Sequence, residues 1–185
     1  MASEIPPSEH VIVLSMSFSR SAPEPEGNRW VAEASVEKLV AMRLGPGESV
    51  VTAVSEEFDR SGLRGLTLIS AVASFSSVQF GVAALDESGR PARSAVIDRV
   101  GAIEVTSLQG QIGRDETGSV SVHLHGSFAF EDGTIGGGHI FEAQVLATAE
   151  MLLISGKGLA WSAGPISVDS SHCDPSLVVF TPQSH

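Results

Sequence analysis

Turn-forming clusters cut this chain into short apolar segments, and only one of those segments repeats with the period of a helix. Gly45-Pro46-Gly47, Asp86-Glu87-Ser88-Gly89-Arg90-Pro91, the stretch 113–118 and Glu131-Asp132-Gly133 each gather residues that favour turns. Between them, residues 36–44, 66–72, 78–85, 103–112 and 120–130 read as strands. In 66–72 both alternating faces are apolar, which suits a well-covered sheet. The exception follows Gly47. Val50, Val54 and Phe58 recur every fourth residue, while Glu56, Glu57, Asp59 and Arg60 are polar. Ser49 is a suitable N-cap and Gly62 a natural stop, so a helix is expected over residues 49–61. Residues 139–154 are β-friendly at both ends, but Ala147, Ala149 and Glu150 in the middle also suit a helix. The pattern predicts an α+β fold, mainly antiparallel sheet with one clear helix.

The ends read differently. Residues 1–35 are expected to be an extension, with a strand at 11–14 followed by the Pro- and Glu-rich loop SRSAPEPEGNR. One domain is expected over 36–163, which the 185-residue length allows. Residues 164–185 read as a loop-like tail with one apolar run at 177–180.

Charge and composition exclude several functions. The net charge is −11, with 22 acidic residues against 11 basic ones. Binding to a phosphate backbone draws on Lys and Arg, so direct DNA binding is disfavoured. With no tyrosine, eight phenylalanines and two tryptophans, few platforms exist for stacking on bases. Cys173 is the only cysteine, so neither an internal disulfide nor a cysteine-built zinc site is available. No apolar run is long enough to span a bilayer. The first residues carry Glu4 and Glu9 in place of a basic region, and a cytoplasmic location is expected.

The stretch VHLHGSFAFEDGTIGGGHI, residues 122–140, holds three of the six histidines. His123 and His125 are two apart, so on a strand they leave the same face. His139 follows beyond a turn, and a hairpin would bring it alongside. Three histidines around one open position form a catalytic-type ligand set for zinc or another divalent ion. Spacing alone leaves a second reading open, in which His123 and His125 face solvent and His139 caps a glycine loop. The His-x-His pair brushes against the cupin pattern, but the spacings differ and the chain's one asparagine, Asn28, lies far upstream. Gly89-Arg90-Pro91 lacks the flanking basic residues of an AT-hook. No serine sits in Gly-x-Ser-x-Gly, and Glu48 in Gly45-Pro46-Gly47-Glu48-Ser49 would repel phosphate. Glu104, Glu142 and Glu150 lie in apolar surroundings; Glu142 reads as an exposed strand residue. Glu104 and Glu150 are candidates for a general base or for a partner that orients a ligand histidine.

Five stretches in order, MRLGPGESVVTAVSEEF, LISAVASFSSVQF, AIEVTSLQGQI, VHLHGSFAFEDGTIGGGHI and AQVLATAEMLLI, make residues 36–160 resemble the plants-and-prokaryotes-conserved (PPC) domain family. The most specific residues are His123, His125, Asp132-Gly133 and Gly137-Gly138-His139, supported by Gly47-Glu48 and by Glu104, Leu108 and Gly110. The resemblance implies a compact α+β domain, a homotrimer, and a divalent metal on His123, His125 and His139, with zinc the expected ion. Plant members of the family pair the domain with AT-hooks, which this sequence lacks. Three functions follow as expectations: an assembly or binding module with a metal site, a metal-dependent enzyme acting on a small molecule, and a DNA-binding regulator. The acidic chain ranks the third last.

Overall fold

A computed structural model of the protein describes residues 31–165 and 178–184. The expected strand at 11–14 lies outside them, as do His10, His172, Cys173 and His185. The described chain runs β1 (Val36–Leu44), α1 (Val50–Ser61), β2 (Leu66–Gly81), β3 (Ala83–Leu85), β4 (Pro91–Arg93), β5 (Ile97–Asp115), β6 (Val120–Phe130), β7 (Ile135–Gly156), β8 (Leu159–Pro165) and β9 (Val178–Ser184). One helix and a mainly antiparallel sheet match the expected α+β class.

Four strands close on themselves. β2 pairs with β5 and with β7, and β6 also pairs with both, so the hydrogen bonding runs in a ring. A closed ring leaves no open edge among its members. β1 extends the sheet along the far half of β7, from Leu44 opposite Ala149 to Val36 opposite Gly156. The middle of β7 therefore lies between β6 and β1. There the chain entering α1 docks, through Gly47 N–H donating to Val145 O and Val145 N–H donating to Glu48 O.

The helix covers this gap because its buried residues are the predicted ones. Val50, Val54 and Phe58 are fully buried and belong to one core with Phe75, Phe128, Leu124 and Leu153 from the strands. Ser49 caps it, its Oγ accepting from Thr52 N–H at 3.0 Å, and Gly62 ends it in the left-handed conformation. The Ser49 hydroxyl also donates to Glu142 at 2.6 Å, so Glu142 is a half-buried anchor and not an exposed strand residue. Ser49→Ala removes both bonds. It should lower stability by about 1–2 kcal/mol in urea unfolding while leaving the fold intact.

Three expectations are corrected. The segments read as 66–72 and 78–85 form one strand to Gly81, kinked by register shifts between Ala73 and Phe75 and between Phe75 and Ser77. The ambiguous middle of 139–154 is strand throughout: Ala149 faces the core, and Ala147 and Glu150 face out. The loop-like tail contributes strand. β9 pairs antiparallel with β8, which joins β5 in parallel at Arg114–Ser162.

Candidate metal centre

Strand alternation builds the site. Leu124 and Ile140 are paired neighbours on β6 and β7, and both are buried. Residues beside them must face away from the core. His123 and His125 flank Leu124, and His139 precedes Ile140 with its backbone opposite His125. The hairpin at Asp132-Gly133, braced by Thr134 N–H donating to Asp132 at 2.9 Å, sets that register. The three imidazoles converge on the outer face of the closed sheet. His123 and His139 are half-buried and His125 is exposed.

Gly136-Gly137-Gly138 does not turn the chain as a glycine loop would. It runs within β7, opposite Phe128, Ser127 and Gly126 of β6. What it provides is close approach. A Cβ on Gly137 would collide with the Gly126 carbonyl, and one on Gly138 would collide with the Gly81 carbonyl of β2. The backbone on either side comes too near for a side chain, and this holds His139 against its partners.

The ligand atoms of the three residues all lie within 4.8 Å of one another. His123 Nε2 and His125 Nε2 are 3.0 Å apart. Tetrahedral zinc with Zn–N bonds of about 2.0–2.1 Å sets its ligand nitrogens roughly 3.3 Å apart. The donor set and spacing therefore fit such an ion after small side-chain shifts. All three imidazoles are held toward their neutral, ligating form. Burial, then the positive charge of Arg93, then His123 and His125 depress His139 to about 4. Burial leads for the other two as well, followed at His123 by His125 and Arg93, and at His125 by Arg93.

That depression gives a pH prediction for the metal-free protein. An unfolded histidine titrates near 6.5, so below that pH the unfolded chain takes up protons that folded His139 refuses. Stability present above about 6.5 should therefore fall as pH drops from 6.5 toward 4. Urea midpoints measured across this range should decline, and His139→Gln should flatten the decline.

Several residues that sequence reasoning missed frame the site. Phe141 meets the His139 ring edge-on at 5.0 Å, and Phe180, from the unexpected strand β9, meets His123 at 5.8 Å. Arg93 of β4 places its guanidinium over the Phe141 ring, 5.1 Å from the ring centre. On one side of the histidines is a cleft of about 360 Å³ lined by Val82, Ala84, Arg93 and Val179 with His123, His125 and His139. On the other is one of about 300 Å³ lined by Gln109 and Gln111, opposite His125 and His123 on β5. Glu104 and Glu150 line neither cleft. Glu104 is exposed on β5 opposite Ser74 and Ala129, and Glu150 is exposed on β7 opposite Arg43 and Val72. Within the chain the structure does not bring them to the histidines.

No curated protein matches the sequence significantly. Solved structures do. A plant- and prokaryote-conserved protein of Pyrococcus horikoshii is 25% identical with a TM-score of 0.64, over 74% of this chain and 91% of that one. A metal-containing protein of Archaeoglobus fulgidus has 23% identity and a TM-score of 0.62, over 81% and 97%. A hypothetical protein of Salmonella enterica has 22% identity and a TM-score of 0.64, over 84% and 99%. The family model of the Plants and Prokaryotes Conserved (PCC) domain matches residues 31–157. The chain belongs to the Plants and Prokaryotes Conserved domain family.

Proposed function

We propose that the chain is a homotrimeric binding and assembly module that holds a divalent ion, zinc, on His123, His125 and His139. The carrying observation is the convergence of three imidazoles within 4.8 Å on one sheet face. The metal-containing protein of Archaeoglobus fulgidus, alike in fold, supports the same reading. So does the electrostatics, since neutral imidazoles bind metal without first releasing protons.

Self-association is supported by apolar residues on the outside of the sheet. Val72, Val100 and Ile69 are 66%, 86% and 46% exposed, and a neighbouring copy would cover them. Sedimentation equilibrium should give three times the 19.2 kDa chain mass. A monomer would contradict the assembly reading while leaving the metal reading standing.

A metal-dependent enzyme is the second reading, favoured by the open cleft beside exposed His125. Three protein ligands leave a position at which bound zinc polarises a substrate oxygen or lowers the pKa of water. Glu104 and Glu150 do not reach that position within the chain, so the general-base role expected of them lacks support here. DNA binding ranks last, because a chain of net charge −11 works against phosphate contact. Among the described residues no helix is long and apolar enough to cross a membrane.

A further inference from the structure

The cleft beside the histidines contains a cation that no described residue pairs. Arg93 is half-buried, and it takes part in none of the ion pairs among the described residues, which involve Arg60, Arg90 and Arg114. Among the described residues no carboxylate lines the cleft. A half-buried guanidinium beside a binding site ordinarily finds an anion, from the protein or from a ligand.

Its placement is fixed from several directions. The β3–β4 ribbon is tied back to β2's end by Val82 N–H donating to Ser94 Oγ at 3.0 Å and by Ser94 N–H donating to Val82 O at 2.9 Å. The guanidinium lies over the Phe141 ring, which in turn meets His139. A guanidinium resting over an aromatic ring still has N–H donors to offer an anion. The cleft's size of about 360 Å³ suits a small molecule, and its other walls, Val82, Ala84 and Val179, are aliphatic.

We propose that this cleft takes a small carboxylate, its carboxyl group paired with Arg93 and a second oxygen directed to the open position among His123, His125 and His139. The inference rests on the metal reading above. With three neutral histidines, a divalent ion and Arg93 would together present three positive charges, and the described lining adds no negative one, which selects an anionic ligand over a neutral one. A cation without an acidic partner among the described residues, its position over Phe141 and the cleft it shares with the histidines are the observations that carry it.

The test uses the full chain loaded with cobalt(II) and titrated with glycolate while the visible spectrum is recorded. Cobalt stoichiometry is measured first, by elemental analysis. The parent should hold one cobalt per chain and show a saturable spectral change with glycolate. Ethylene glycol, the same skeleton without the carboxylate, should produce no comparable change. Arg93→Gln should still load one cobalt, but its glycolate dissociation constant should rise about ten- to a hundredfold, the loss expected for one charge-assisted pair. Arg93→Lys, which keeps the charge but not the fork, should fall between. Parent-like glycolate affinity in Arg93→Gln, or no response in the cobalt-loaded parent, would overturn the proposal. So would tighter binding of inorganic phosphate than of glycolate. Failure of the parent to load cobalt would instead overturn the metal reading, and this inference with it.

Discussion

His139→Ala should lose the thermal stabilisation that zinc gives the parent protein. Zinc binds the folded arrangement of His123, His125 and His139, whereas an unfolded chain scatters those residues. At a free zinc concentration a hundredfold above the dissociation constant, binding stabilises the fold by about 2.7 kcal/mol. For a domain of this size that raises the melting temperature by roughly 5–10 °C. Two remaining imidazoles bind far more weakly, so the variant should melt at the same temperature with and without zinc. Without metal, His139→Ala should fold nearly as well as the parent, because the side chain lies on the outer face and outside the core. A calorimetric comparison of both proteins with zinc and with chelator separates these effects. Equal zinc-dependent shifts in both would remove His139 from the ligand set.

Gly138→Ala should unfold much of the protein, although it adds a single methyl group. The Gly138 φ of 151° is one that residues with side chains rarely adopt, and the added Cβ would strike the Gly81 carbonyl of β2. Neither strand can retreat, because β7 is also paired with β6 and β2 with β5. Strain and overpacking together cost roughly 3–5 kcal/mol, a large share of a typical domain's stability. Gly133→Ala is the control. Its φ is also positive, but a Cβ there meets nothing within 4 Å, so only the conformational penalty of about 1 kcal/mol applies. Urea midpoints should drop sharply for Gly138→Ala and slightly for Gly133→Ala. A Gly138→Ala protein with the parent's midpoint would refute the close-approach account of this glycine run.

The contrast between those two glycines shows what was legible in the sequence. Gly133 sits in an Asp-Gly turn, a local signal, and the turn is there. Gly136-Gly137-Gly138 carries the same local signal but is strand, because its role is set by the backbones of β6 and β2, the latter more than fifty residues away. The same division holds elsewhere. The helix was readable because Ser49, Val50, Val54, Phe58 and Gly62 encode its cap, buried face and stop within fourteen residues. The continuity of β2 through Ser74, Ser76 and Ser77 was not, since serine gives no strand signal and pairing with both β5 and β7 overrides the weak preference. At the site, His123 and His125 share a face by strand parity, and the hairpin supplies His139. Arg93, Phe141 and Phe180 could not be assigned to it from sequence, because tertiary pairing alone brings β4, β7 and β9 together around the histidines. Glu104 and Glu150 stood out for apolar neighbours, but on strands whose alternate residues face the core such neighbours accompany exposed side chains as well.

Anomalous diffraction from crystals of the zinc-loaded protein would locate the ion at the three-histidine centre. One strong zinc peak per chain is expected, about 2.0–2.1 Å from a ring nitrogen of each of His123, His125 and His139. Absence of a peak there, or a peak coordinated by other residues, would contradict it.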